Sequence, residues 1–287
     1  MDEILLFKEY LSSIKRYSRH TVTAYITDVE QFNSLVCGLI LSASRREIKD
    51  WIIHLYESGI STRSIARKIY CLRSFYKFCL KNELIEKSPM QNITTPKFSK
   101  KVVEFIPENI MMEVLDGIES GENRKLIRDK LLFELLYYTG CRVDEIINIK
   151  LSNINLSRRE IKVNGKGNKE RVVFISKSIV ELIMTYNQKW KHKNKSGFLL
   201  VDNAGDQIYP MFVQRTINKY FPIKKIGFRV SAHTFRHSFA SHLVNKGVPI
   251  FAIKDLLGHS TIASTEVYTH LRFSTLIDIH KRMHPKG

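Results

Sequence analysis

Apolar residues recur at three-and-four spacing through the first 85 residues, with no run of β-like alternation to interrupt them. A stretch patterned this way buries its apolar stripes only by packing helix on helix. Ile4, Phe7, Leu11 and Ile14 mark one helix; Val22, Tyr25, Val29, Phe32 and Val36 mark a second, with Ser18 as its N-cap. A third runs around Trp51, Ile52 and Leu55 to Gly59, and a fourth, capped by Ser61 or Thr62, carries Ile65, Ile69, Leu72, Tyr76 and Cys79. Arg63, Arg67, Lys68 and Arg73 are read as the opposite, basic face of that fourth helix. The pattern then stops. Residues 86–106 are aperiodic, with Pro89, Pro96 and the basic run Lys97, Lys100 and Lys101, and they read as a linker; Pro107 suits the first turn of the next helix.

From 107 to 287 the expected structure is mainly helical with one small antiparallel sheet. A helix from about Asn123 to Tyr138 stops at Gly140, and another starts near Arg142. Between them and the later helices, REIKVNGKGNKERVVFIS alternates, turns through Gly165 to Asn168 and alternates again, as a β-hairpin does. Further helices are expected around residues 179–190, 211–220, 233–245 and 250–257. The fold class is therefore mainly α with a small antiparallel sheet, in two domains: 1–85 and 107–287.

Charge narrows the function. Forty-six Lys and Arg against 28 Asp and Glu leave +18. The first hundred residues carry 16 basic and 10 acidic side chains and the remainder 30 and 18, so both parts can attract a polyanion such as nucleic acid. No leader-like start and no apolar run of about 20 residues is visible, which reads as a cytoplasmic chain with no membrane partner. The four cysteines, Cys37, Cys71, Cys79 and Cys141, show no paired spacing and read as reduced.

Five separated places hold groups that bind or move charge: Arg142 and Glu145; Lys166 in the hairpin turn; His233, Arg236 and His237; His259; and Tyr268. His233 and His237 stand at i, i+4, but Thr234, Phe235 and Arg236 between them supply no carboxylate, so neither a metal nor another cofactor is expected. Two arginines, a lysine and two histidines suit a phosphoryl group, and Tyr268 supplies an oxygen nucleophile.

On these residues the chain resembles the tyrosine recombinase (phage-integrase) family. Thr139, Gly140, Arg142, Glu145 and Ile146 match TG-x-R-x-x-E-I, and Gly165, Lys166, Gly167, Lys169 and Arg171 match GKG-x-K-x-R. His233, Arg236 and His237 match H-x-x-R-H, Leu257, Gly258 and His259 match LGH, and Tyr268 is the terminal tyrosine, all in the family's order. The resemblance implies a compact, Xer-like member with no arm-type domain ahead of residue 1. It implies a core-binding domain over residues 1–85 and a catalytic domain with a tail helix over residues 107–287. Tyr268 would attack a scissile phosphate to form a 3′-phosphotyrosine. Arg142, Arg236 and His259 would hold the non-bridging oxygens, Lys166 would protonate the 5′-oxygen, and His233 would accept the tyrosine proton. Glu145 and His237 would support them.

The implied partners are double-stranded DNA with an inverted-repeat core site and three further protomers, identical or from a related recombinase, joined through a Holliday junction. Type IB topoisomerase and an inactive DNA-binding regulator on the same fold are the alternatives. Cys141, where Leu or Met is common in the family, raises an expectation of oxidation sensitivity. Beyond Tyr268, Leu276, Ile279 and Met283 recur at helical spacing, and the resemblance implies that this tail docks on a neighbouring protomer.

Overall fold

A computed structural model describes residues 2–96, 104–118, 121, 123–165, 170–190, 192 and 194–258. The chain divides into two compact units, Met1–Lys101 and Val102–Gly287.

The first unit contains α1 (Glu3–Glu9), α2 (Arg19–Leu35), α3 (Arg45–Glu57) and α4 (Thr62–Lys81). Ser18, Ser44 and Ser61 each accept a backbone N–H of the first turn of α2, α3 and α4, and Ser44 forms a full capping box with Glu47. The apolar stripes meet in one core that includes Phe7, Val29, Phe32, Trp51, Leu72 and Phe75. The hydroxyl of Tyr76, buried in that core, donates to the Ile40 carbonyl at 2.7 Å. The periodic reading fails at Ile14, which is 71% exposed. A π-helical turn over Tyr10–Ile14, closed by Lys15 N donating to Tyr10 O, rotates Ile14 off the stripe. The linker reading also needs correction. Met90 and Ile93 are buried in the first core, while Ile106 is buried in that of the second unit.

Lys68 is corrected too. It is 8% exposed, and its ammonium donates to Asp28 Oδ1 at 2.8 Å and to Gln31. The reason lies in spacing: Lys68 is three residues after Ile65 and four before Leu72, so it falls on the apolar stripe. Asp28, itself buried, also takes a two-pronged pair from Arg67. Arg73 is half-buried and donates to the Ile93 carbonyl at 2.8 Å and Thr95 Oγ1 at 3.3 Å, tying the segment after α4 to that helix. The face left to solvent holds Arg63, Arg67 and the half-exposed Tyr70, beside Tyr25.

The second unit is built round α6 (Arg124–Thr139), whose C-terminal half is apolar on nearly every side and which buries Ile127, Leu131, Leu132, Phe133, Leu136 and Tyr137, with Arg128 and Asp129 buried as an ion pair. Around it lie α5 (Glu108–Asp116), α7 (Val143–Ile147), α8 (Lys177–Trp190), α9 (Pro210–Tyr220), α10 (Ile223–Ile226), α11 (Ala232–Asn245) and α12 (Ile250–Leu257). Pro107 is the N-cap of α5, one position outside its expected place. The hairpin strands β2 (Glu160–Asn164) and β3 (Glu170–Phe174) pair antiparallel, and a two-residue strand, β1 (Ile154–Asn155), extends the sheet to the order β1-β2-β3. Ile161 faces Val173 and Val163 faces Arg171, so Arg171 occupies the buried face of β3. Among the described residues, no helix is long and apolar enough to cross a membrane.

Candidate active site

The turn after α6 sets the first half of the site. Gly140 has φ +59°, and a Cβ there would meet the Phe239 ring at 2.7 Å and Leu257 at 2.9 Å, so both its backbone and its lack of a side chain are required. This close approach sets the TG turn against α11 and α12. Arg142 then stands at the N-cap position of α7, and its backbone N–H and Nη1 donate to Glu145 Oε2 at 2.8 Å and Oε1 at 2.9 Å. The Glu145 side chain is 3% exposed, whereas that of Arg142 is 36% exposed. The carboxylate sits beneath and the guanidinium reaches outward.

α11 sets the second half. Ser231 caps it reciprocally with Thr234, and Arg236 lies one turn in, 3% exposed. Arg236 donates from Nη1 to the Gly140 carbonyl and from Nη2 to the Leu257 carbonyl, both at 2.7 Å. A guanidinium has five N–H donors, so these bonds orient it and still leave donors for an anion. Burial, together with the charge of Arg142, lowers its pKa to about 10, which keeps it protonated at neutral pH.

His233 and His237 meet edge to face, with ring centroids 4.7 Å apart. Burial and then the charges of Arg236 and Arg142 hold His233 below the ordinary histidine value. Burial, then His233 and Arg236, do the same to His237. Both rings are thus neutral near pH 7, and a neutral imidazole can accept a proton.

Arg171 also reaches this cluster, and reading by residue type misses it, since it matches the motif without being given a role. Its Nη2 donates to Glu145 Oε2 at 2.9 Å and lies 3.3 Å from the Cys141 sulfur, and Nη1 reaches the Leu256 carbonyl at 3.4 Å. The signal is present in the alternation of β3, where Arg171 shares the face of Val173. Cys141 is fully buried, and burial pushes its thiol pKa up, so the thiol stays protonated; the expected oxidation sensitivity is withdrawn.

Arg142, Glu145, His233, Arg236 and His237 therefore come together. Lys166, His259, Tyr268 and the tail lie outside the described residues, as do Lys97, Lys100 and Lys101 of the basic run. Three guanidiniums around one buried carboxylate carry a surplus of positive charge. Beside two neutral imidazoles, such an arrangement can bind an oxyanion and exchange a proton with it.

Fold and site together define a mainly helical, two-unit protein whose second unit gathers three arginines and two histidines about a buried carboxylate. Residues 104–275 match the phage integrase family and residues 4–83 match the phage integrase N-terminal SAM-like domain. The tyrosine recombinase XerC of Pediococcus pentosaceus is 31% identical, over 100% of this chain and 99% of the relative. The tyrosine recombinase XerD of Staphylococcus saprophyticus is 33% identical, over 100% of both chains. The crystal structure of the XerH site-specific recombinase bound to difH substrate, a pre-cleavage complex, superposes with a TM-score of 0.69. It is 20% identical and covers 90% of this chain and 79% of its own, a likeness of fold. The chain belongs to the phage integrase family and is a tyrosine recombinase of the Xer-like kind.

The pocket predicts a pH dependence. If His233 takes the proton of the attacking group, cleavage needs its neutral form, and a lowered pKa keeps that form present below the usual histidine range near pH 6.5. The single-turnover cleavage rate is expected to hold down through the ordinary histidine range and to fall only at lower pH. In His233→Gln the rate is expected to drop about 10²-fold with that acid limb lost. A limb of unchanged position in His233→Gln would move the role to another group.

Proposed function

We propose that this chain is a site-specific recombinase that cuts and rejoins duplex DNA through a covalent bond to Tyr268. The observation that carries the reading is the cluster of Arg142, Arg171 and Arg236 round the buried carboxylate of Glu145, with His233 neutral beside it. Arg142 and Arg236 bind the non-bridging oxygens of one phosphodiester and stabilise the charge that grows on them in the trigonal-bipyramidal transition state. The Tyr268 oxygen attacks phosphorus as its proton passes to His233. The P–O5′ bond breaks, and the 5′-oxygen takes a proton from Lys166 and leaves as a hydroxyl. His259 donates a further hydrogen bond to the phosphate, and Glu145 and His237 support their neighbours.

The bond energy is kept in the 3′-phosphotyrosine, so a 5′-hydroxyl from a partner strand reverses the step without ATP, and the arginines supply the charge a metal would otherwise give. Arg63, Arg67 and Tyr70, on the solvent face of α4, contact the duplex from the first unit, with Lys97, Lys100 and Lys101 later in the sequence adding to them. The positive charge of both units supports a duplex partner. The XerH recombinase, similar in fold, is also solved on a palindromic difH substrate, which supports an inverted-repeat site here. Four protomers, of this chain or of this chain with a related one, would assemble on two such sites in the cytoplasm and resolve a Holliday junction. Chromosome-dimer resolution and the integration, excision or inversion of an element are the roles open to such an assembly.

The test uses the purified full chain and genomic DNA of its source. After incubation in excess EDTA and denaturation, protein-linked fragments are recovered and their ends sequenced. The expected result is covalent adducts converging on one inverted repeat, formed without a divalent ion and lost steeply as salt rises. Adducts scattered over the genome would favour a topoisomerase. The absence of adducts, or their dependence on a divalent ion, would overturn the proposal.

A further inference from the structure

One side chain connects the two halves of the pocket. The last turn of α12 ends in carbonyls without helical partners. Arg236 takes that of Leu257, at 2.7 Å, and Arg171 reaches that of Leu256, at 3.4 Å. The same Arg171 donates at 2.9 Å to Glu145, the carboxylate that holds both the backbone and the guanidinium of Arg142. Gly258, the residue after α12, adds an independent observation. It has φ +63°, and a Cβ there would stand 2.8 Å from Arg171 Cδ and 2.9 Å from its Nη1. The chain thus leaves α12 directly against the Arg171 side chain, at the residue preceding His259. Arg171 Nε is buried and has no hydrogen-bond partner among the described residues, a cost that a residue kept for stability alone has no reason to carry.

We infer that Arg171 is a positioning residue for the reaction. Its guanidinium ties the carboxylate that aims Arg142 to the end of α12 that also holds Arg236, so that two phosphate-holding groups on distant segments are set by one clamp. The inference rests on the recombinase reading above. It is of the kind expected where groups must be held within a fraction of an ångström, since a misplacement of about 1 Å can cost about 10² in rate.

The test is a double-mutant cycle on a nicked duplex bearing the site recovered from genomic DNA, read as single-turnover cleavage, with DNA affinity and melting followed in parallel. Arg171→Ala is expected to cleave about 10²-fold slower than wild type while binding the duplex within about 3-fold. Glu145→Gln detaches one end of the clamp, so adding Arg171→Ala to it is expected to slow cleavage by less than about 3-fold more. Arg171→Lys, a single ammonium unable to span both partners, is expected to recover only part of the rate. If Arg171→Ala does not fold, the cycle is read with Arg171→Lys. Failure of both to fold makes Arg171 a structural residue and overturns the inference. So does a full loss of about 10²-fold repeated in the Glu145→Gln background, or wild-type cleavage by Arg171→Ala. A wild type that forms no adduct refutes the recombinase reading instead, which keeps the two failures apart.

Discussion

Replacing Tyr268 by Phe is expected to abolish strand cleavage while leaving DNA affinity and thermal melting unchanged. The substitution removes one oxygen and keeps the ring, so whatever the ring packs against is retained and the nucleophile is lost. No other single substitution in the site is expected to cost as much. The arginines each supply part of the stabilisation, and removing one electrostatic donor costs about 10²–10³ in rate. No bond to phosphorus forms without an attacking atom. Residual adduct from Tyr268→Phe above about one part in 10⁴ would mean that another hydroxyl attacks.

The second large effect concerns Lys166. In its proposed role as general acid for the departing 5′-oxygen, Lys166 is expected to be needed for rate, and Lys166→Ala to slow cleavage by about 10²–10⁴-fold. The defect has a chemical signature. A 5′-bridging phosphorothiolate places sulfur in the leaving position, and a thiolate departs with little need of a proton. On that substrate Lys166→Ala is expected to approach the wild-type rate, whereas Arg142→Ala, which lacks a phosphate contact, stays slow. Rescue of Arg142→Ala with none for Lys166→Ala would reverse the two roles.

Much of the site is legible in the sequence because its residues obey local rules. Gly140 ends a helix in a conformation that favours glycine, and Glu145, three residues after Arg142, accepts both the backbone and the guanidinium N–H of Arg142 at the start of the next helix. His233 and His237 share a face of α11 by spacing alone, with Arg236 on the same helix turned into the core. What is not legible is what tertiary contacts decide. Lys68 and Arg171 are cations that residue type assigns to solvent, yet each occupies an apolar register of its element. Buried Asp28 and Glu145, brought from elsewhere in the chain, keep them there. Their identity points outward while their spacing points inward, and spacing decides. The π-helical turn at Tyr10–Ile14 shifts the helical phase with no proline or glycine to mark it. β1, two residues long, is too short for alternation to show, and it exists because Ile154 and Asn155 find partners on β2.

The central claim is a covalent bond between Tyr268 and the 3′-phosphate of a cut strand, and mass spectrometry of the trapped adduct tests it most directly. After nuclease and protease digestion, the peptide spanning residue 268 is expected to carry the mass of a 3′-phosphoryl nucleotide on the tyrosine, with a free 5′-hydroxyl on the released strand. A nucleotide on any other residue, or a 5′-linked phosphate on this one, would contradict the account.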